Sequence, residues 1–172
     1  TDDERLGRLK VSLPDSDPDG DGDLDRLVAF GTRSFSIYDW DTGALVYESG
    51  ALLESLSRSR FPALFNANVG SPDERDARSD DRGPEPEALT ATTIDGRPHL
   101  LVGLERPGAL LLFDVSDPRS PRLVSIANHE PGSQNGIAPE GSLACTIDDE
   151  VSIAVAFEVS GTVALYRTRP AD

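Results

Sequence analysis

The feature that most constrains the fold of this chain is an internal repeat. Shifting the sequence by 140 − 87 = 53 residues superposes Glu87 on Glu140 and Glu105 on Glu158, with apolar runs at equal spacing between them. A fixed period of this order, made of short strands and turns, is typical of a β-propeller or another repeat array. We therefore predict an all-β fold built from repeated four-stranded sheets.

The predicted domain is a partial β-propeller covering residues 1–172. Its blade segments are 6–50, 84–127 and 137–169, and a short helix with an acidic loop is inserted at 51–83. About three such blades fit in the chain, whereas closed propellers have about four to eight. Because the sequence begins at Thr1 and contains no methionine, we expect the remaining N-terminal propeller segment to come from the same precursor.

Charge restricts the partners of this chain. Its 31 acidic and 16 basic residues give a net charge of −15. This excess disfavours nucleic acid and anionic membranes as partners, and favours cations. No apolar run approaches the roughly 18–20 residues of a membrane span, and the single cysteine, Cys145, excludes an internal disulfide framework. We predict no nucleic-acid partner, no membrane span and a salty or extracellular setting.

The repeated glutamates are the main candidate functional residues. In a propeller the innermost strand of each blade lines the central channel, so Glu87 and Glu140 are predicted to converge on one axis. Neighbouring carboxylates repel each other unless protons or cations neutralise them, and hard divalent cations prefer oxygen ligands. The alternative is that these glutamates are ordinary polar residues at strand ends, paired with arginines such as Arg106.

A second candidate cation site lies in an acidic loop between two predicted strands, 6–13 and 27–30. Four aspartates occupy positions one, three, five and nine of a calcium-loop pattern: Asp17, Asp19, Asp21 and Asp25. Gly22 occupies the sixth position, where such loops turn sharply. Position twelve is Val28 rather than glutamate, which excludes an EF-hand. We predict bound Ca²⁺ here, and the alternative is a solvated acidic linker.

The charged segment 66–83 leads directly into the first repeat. We predict that it is an ordered loop that places Arg78 and Arg82 near the glutamates, where they could grip phosphate or carboxylate oxygens. Surface ion pairs with the neighbouring aspartates are the alternative. His129, in the connection between the repeats, is a further candidate ligand or proton carrier.

Several strings of this sequence together resemble the propeller of choice-of-anchor I proteins. They lie at 30–39, 78–87, 103–106, 113–118 and 158–162. These relatives are secreted or surface bacterial proteins often labelled alkaline-phosphatase-like. The resemblance implies that the chain is the C-terminal part of a larger, seven-bladed propeller in a secreted, periplasmic or cell-surface protein.

The arrangement is also similar to phosphotriesterases of the haloalkylphosphorus-hydrolase type. That resemblance implies two metal ions on the propeller axis, Mn, Ca, Fe or Zn, held largely by glutamates. In this chain the ligand role falls on the repeated residues Glu87, Glu105, Glu140 and Glu158. One departure is Phe157, where the family pattern has asparagine.

The resulting functional hypothesis is a metal-dependent phosphoesterase. A metal-bound hydroxide would attack a phosphomonoester or phosphotriester, and Arg78, Arg82 or Arg106 would stabilise the developing charge. The sequence shows no serine or cysteine triad and no glycine-rich phosphate loop. The alternative hypothesis is a non-catalytic extracellular propeller that binds Ca²⁺ and acts as an adhesion or interaction module.

Overall fold

The computed structural model describes residues 7–68, 71–128 and 136–168. Three antiparallel sheets and a few short helices make up this part of the chain. In chain order the elements are α1 (Leu13–Ser16), β1 (Ser36–Tyr38), β2 (Leu45–Glu48), α2 (Leu52–Arg60), two 3-10 turns (Pro62–Leu64 and Pro72–Glu74), β3 (Pro86–Ile94), β4 (Arg97–Leu104), β5 (Ala109–Asp114), β6 (Arg122–Asn128), β7 (Pro139–Ile147), β8 (Glu150–Phe157) and β9 (Thr162–Arg167). None of the helices in these ranges has the length and apolar character needed to cross a membrane.

Each sheet is a meander in which consecutive strands pair antiparallel. The sheets are β1-β2, β3-β4-β5-β6 and β7-β8-β9. Tight hairpins connect the strands, and in the β3–β4 turn Asp95 and Gly96 have φ of 50° and 73°, which matches the twist of the flanking strands. The all-β class is confirmed. A four-stranded sheet, as predicted for each repeat, occurs once in the described residues. The other two sheets have two and three strands there.

The 53-residue repeat is also a repeat of the structure. β7, β8 and β9 begin and end 53 residues after β3, β4 and β5. Both first strands have a bulge in their pairing, at Glu87 and at Glu140. The Glu105 N–H donates to the Glu85 carbonyl oxygen at 2.8 Å, and the Glu158 N–H donates to that of Ala138 at 2.9 Å. The same backbone therefore presents the glutamates of both repeats.

The middle sheet is covered on both faces. One face packs against the β1–β2 hairpin and α2 through Val102, Leu104, Leu111 and Phe113. The other packs Leu101 and Leu110 against the third sheet. Because side chains alternate along a strand, a sheet buried on both faces requires continuous apolar strands. β4 and β5, with the runs 100–104 and 109–113, meet this requirement.

The second and third sheets approach closely along β3 and β7. A Cβ added to Gly103 would lie 2.7 Å from Ala88 Cβ and 3.2 Å from Pro139 Cβ, so only glycine allows this spacing. Further along, the Thr90 hydroxyl donates to the Ser142 carbonyl oxygen at 2.8 Å. The first strands of the two repeats therefore lie side by side.

Two predicted strands near the N-terminus are wrong. Residues 13–16 form α1, and the described part of 6–13 and the stretch 27–30 share a single bridge, between Val11 and Ala29. Pro14 stands in the first turn of α1, where its missing N–H costs no helical hydrogen bond. The acidic residues that follow give no alternating apolar face on which a sheet could form.

The segment 71–83 before the first repeat is held to the rest of the fold by hydrogen bonds. Arg33 is its main anchor, since one guanidinium nitrogen donates to the Ser79 carbonyl oxygen at 2.6 Å and another donates to Glu54 at 2.7 Å. The Arg78 N–H also donates to the Asn66 carbonyl oxygen at 2.8 Å. These bonds fix Arg78 beside the start of β3.

Candidate metal centre

Three glutamates of the first repeat form a compact carboxylate cluster. One oxygen each from Glu85, Glu87 and Glu105 lies within 4.8 Å of the others. Glu87 is the bulged residue of β3, and Glu105 directly follows β4. Glu85 precedes β3 with φ of 49°, a left-handed conformation that turns its side chain into the cluster.

Glu85 is buried and held by two arginines. Its side chain is 2% exposed and accepts hydrogen bonds from Arg106 and from Arg78 Nη2, the latter at 3.2 Å. Burial raises the pKa of Glu85, but the hydrogen bonds from Glu105 and Arg106 outweigh this and hold it below its usual value. The Glu85 carboxylate is therefore ionised, and both guanidinium groups are anchored on it.

Glu105 holds a proton at neutral pH. Burial and the adjacent Glu85 carboxylate raise the pKa of Glu105 to about 8, although Arg106 opposes this shift. Arg106 Nη2 lies 3.2 Å from a Glu105 oxygen. Two buried carboxyl groups in contact share a proton because both cannot ionise cheaply. A divalent cation that replaced this proton would relieve the same repulsion.

In the second repeat Glu140 lies in β7 and Glu158 directly follows β8. Partial burial, the Glu87 charge and the hydrogen bond and charge of Glu158 raise the pKa of Glu140. Glu87 and Glu140 occupy equivalent positions near the starts of β3 and β7, which lie side by side. The structure brings Glu87 and Glu105 together with Glu85, and no carboxylate group of this kind in the described residues includes Glu140 or Glu158. The role of the four predicted glutamates as metal ligands stays a prediction.

Glu85 is the member of the cluster that the sequence analysis missed. The sequence does contain a signal for Glu85, because the two repeats differ at two equivalent positions. Ala138 stands at the position of Glu85 and Val159 at that of Arg106, so both halves of the buried ion pair occur in one repeat only. Packing explains why position 157 is phenylalanine rather than the asparagine of the family pattern. Phe157 and its counterpart in the first repeat, Leu104, are both buried in the core.

The three predicted arginines have different surroundings. Arg106 and Arg78 are anchored on Glu85, and Arg78 also pairs with Asp81 at 3.2 Å. The Nε atoms of both arginines are buried without a hydrogen-bond partner in the described residues. The Arg82 side chain is exposed, and no ion pair in the described ranges includes it.

The acidic loop before β1 brings together three of its four predicted ligands. Carboxylate oxygens of Asp17, Asp19 and Asp21 lie within 4.8 Å of one another, and Asp25 lies outside this group. The backbone N–H groups of Gly20 and Gly22 donate to Asp17 at 2.8 and 3.1 Å. These bonds help to shape the loop, and Ca²⁺ binding by it stays a prediction. His129 lies outside the described residues.

A family model for the choice-of-anchor I domain matches residues 1–118 of this chain. The match covers more than half of the sequence and includes Glu85, Glu87, Glu105 and Arg106. The chain belongs to the choice-of-anchor I domain family. The third sheet, with Glu140 and Glu158, lies beyond the matched residues.

Two animal proteins are similar to parts of this chain. Gigasin-3a of Magallana gigas is 36% identical over 118 residues, which cover 66% of this chain and 41% of the relative. The mesenchyme-specific cell surface glycoprotein of Strongylocentrotus purpuratus is 32% identical over 105 residues, or 54% of this chain and 14% of the relative. The chain spans less than half the length of either relative.

Proposed function

We propose that this chain forms part of a metal-dependent phosphoesterase whose centre is the glutamate cluster of the two repeats. The observation that carries the proposal is the compact cluster of the Glu85, Glu87 and Glu105 carboxylates. Burial and neighbouring carboxylates together raise the pKa values of Glu105 and Glu140. Elevated carboxyl pKa values in a cluster formed by several elements are typical of functional sites.

The donor set suits hard divalent cations. Every candidate ligand is a carboxylate, which favours Mn²⁺ or Ca²⁺ among the candidate ions Mn, Ca, Fe and Zn. A bound cation would polarise a phosphoryl oxygen and lower the pKa of a water molecule. Glu87 is the central ligand in this proposal because its carboxylate lies in the cluster with Glu85 and Glu105, on a strand that runs beside the strand of Glu140.

The residues around the cluster have distinct roles in the proposed reaction. Glu85 positions Arg106 by holding its guanidinium against Glu105. The positive charges of Arg106 and Arg78 then favour an anionic phosphoryl group beside the glutamates. Arg82 is exposed and would contact the outer part of a phosphate ester substrate.

The same evidence supports a larger propeller as the setting of this site. The repeated three-strand unit, the face-to-face sheets and the adjacent β3 and β7 all agree with propeller blades. We propose three blades of a seven-bladed propeller, completed by the remaining N-terminal segment of the precursor. The family, the acidic charge and the cell-surface relative support a secreted, periplasmic or surface location.

The proposal is tested by hydrolysis of an aryl phosphomonoester and an aryl phosphotriester with Mn²⁺ or Ca²⁺ present. Glu87→Gln keeps the shape of the side chain but removes its charge, and we expect it to abolish turnover. Glu150→Gln, at the far end of the β7–β8 hairpin, is the matched control and should retain activity. Turnover by Glu87→Gln equal to the wild type would refute the catalytic role.

A non-catalytic calcium-binding module is the second candidate. It is favoured by the cluster of Asp17, Asp19 and Asp21 and by the engagement of Arg78 and Arg106 in ion pairs. In that case Asp17→Asn should lower Ca²⁺ affinity, and neither phosphate ester should be hydrolysed under any metal. Hydrolysis that requires Glu87 would exclude this candidate.

A further inference from the structure

Arg33, shortly before β1, holds two distant parts of the chain together beside the glutamate cluster. Its Nη2 donates to the carbonyl oxygens of Ser79 and Asp81 at 2.6 and 3.2 Å. Its Nη1 donates to Glu54 of α2 at 2.7 Å. A guanidinium group carries its N–H donors in a rigid, planar fork, so one arginine can bind all of these acceptors in a fixed geometry. Arg33 therefore fixes the loop 79–83 against α2.

Asn66 attaches the same loop a second time. Asn66 is 1% exposed, and its Nδ2 donates to Glu54 and to the Ser79 hydroxyl, both at 2.9 Å. Its backbone carbonyl oxygen accepts a hydrogen bond from the Arg78 N–H at 2.8 Å. The same oxygen of Glu54 accepts from Arg33 and from Asn66. These three side chains form one network, which we call the anchor network.

The chain passes directly over the anchor network at Gly83, two residues before Glu85. A Cβ added to Gly83 would lie 2.8 Å from Arg33 Nη1 and 3.1 Å from a Glu54 oxygen. The φ of Gly83 is 65°, in the left-handed region that favours glycine. The next residue, Pro84, is fully buried. The place where Gly83 crosses the network therefore determines where Glu85 enters the cluster.

The anchor network also determines the position of Arg78. The Arg78 carbonyl oxygen accepts hydrogen bonds from the N–H groups of Asp81 and Gly83 at 3.1 and 3.0 Å, so this loop is closed on itself. Arg33 binds the residue that directly follows Arg78. From there the Arg78 side chain reaches Glu85 at 3.2 Å. The two partners of this ion pair thus flank one closed loop that Arg33 holds.

We propose that Arg33 is a positioning residue of the glutamate cluster, which keeps Arg78 and Glu85 in place by holding the loop between them. This inference rests on the proposed function, because Arg78 is one of the cations that would face an anionic phosphoryl group there. Loss of Arg33 removes charge-assisted hydrogen bonds from two carbonyl oxygens of the loop. The Arg78 guanidinium is then no longer held against Glu85.

NMR of the Arg78 Nε–H group measures this position directly. The Nε atom is buried, so its proton should exchange slowly with water. Arg75→Gln is the matched control, because Arg75 attaches the same segment to the Pro62 carbonyl oxygen at 2.8 Å but lies outside the closed loop. Relative to the backbone amides of β4, which report global stability, Arg33→Gln should speed this exchange at least tenfold. Arg75→Gln should leave it unchanged, and equal rates in the two variants would overturn the proposal.

Kinetics separate this inference from the proposed reaction. With Mn²⁺ and an aryl phosphomonoester, Arg33→Gln should raise KM at least fivefold, because Arg78 no longer attracts the phosphoryl group. The affinity for Mn²⁺ should stay within twofold, since β3 and β4 hold Glu87 and Glu105. An unchanged KM would overturn the role of Arg33 in the site. Absence of turnover in the wild type would refute the reaction alone, and the exchange rates would still decide whether Arg33 positions Arg78.

Arg33→Lys keeps the proposal testable if Arg33→Gln does not fold. Lysine retains a positive charge beside Glu54 but cannot reproduce the fixed fork of a guanidinium group. We therefore expect exchange of the Arg78 Nε–H between the rates of the wild type and Arg33→Gln. Exchange as slow as in the wild type would show that only the charge of Arg33 matters, and would overturn the proposal.

Discussion

The two repeats share one backbone but differ in charge. Glu85 and Ala138 occupy the same left-handed position, with φ of 49° and 61°, and Arg106 corresponds to Val159. The second repeat keeps the turn without the ion pair, so the pair is not needed to form the backbone. Its effect is electrostatic, because it adds a buried anion and a cation to one side of a shared carboxylate cluster.

The largest effect expected from this comparison is on stability. Arg106→Val removes a partner of the buried Glu85 carboxylate and should destabilise the protein by about 3 kcal/mol or more. The double change Glu85→Ala with Arg106→Val copies the second repeat and should cost clearly less than the single change. Urea denaturation measures both. A double variant as unstable as the sum of the two single changes would show that the pair has no such coupling.

The second largest expected effect is on the pH dependence of stability, which should differ between the two repeats. The pKa of Glu105 is about 8 in the folded protein, above its usual value, so the folded state binds more protons than the unfolded state between about pH 5 and 8. Stability of the metal-free protein should therefore fall as pH rises through this range, by at most about 1.4 kcal/mol per pH unit. Urea denaturation at several pH values measures the slope.

Two variants assign this slope to one repeat. Glu105→Gln should flatten it, because the amide does not titrate. Glu140→Gln should flatten it less, because the pKa of Glu140 is also raised but this residue lies at an exposed position. A slope that survives in Glu105→Gln would place the perturbed group elsewhere.

A smaller effect is expected where the sheets meet. Gly103→Ala would place a methyl group 2.7 Å from Ala88 Cβ and should destabilise the protein by about 1–3 kcal/mol through overpacking. Ala156 holds the equivalent position on the exposed face of the third sheet, and Ala156→Val should change stability by less than about 0.5 kcal/mol. Thermal unfolding measures both. Equal effects would mean that the third sheet does not pack at Gly103 as described.

The repeat made much of the fold predictable from the sequence. The predicted segments 84–127 and 137–169 contain β3 to β9 except for the last residue of β6, because turn residues such as Asp95-Gly96 and continuous apolar runs mark the ends of the strands. The N-terminal region lacks both signals. Its predicted strands are replaced by α1 and a single bridge, since tertiary contacts such as Lys10 N–H to the Asp80 carbonyl oxygen determine that backbone.

The candidate site was predictable only where the repeat marked it. Glu87, Glu105, Glu140 and Glu158 recur at equal spacing, and of these four the structure places Glu87 and Glu105 in one cluster. Glu85 does not recur, and its importance comes from burial and from two arginines that the sequence places 7 and 21 residues away. Such contacts form only when the segment 71–83 folds against the first repeat. No local sequence pattern predicts this packing.

The most direct test of the account is calorimetric titration of the chain with Mn²⁺ and Ca²⁺. If carboxylates of both repeats form one cation centre, Glu87→Gln and Glu140→Gln should each lower the affinity for the cation at least tenfold in the same binding event. Glu150→Gln should bind like the wild type. Wild-type affinity in both cluster variants, or binding lost only in Asp17→Asn, would contradict the shared centre.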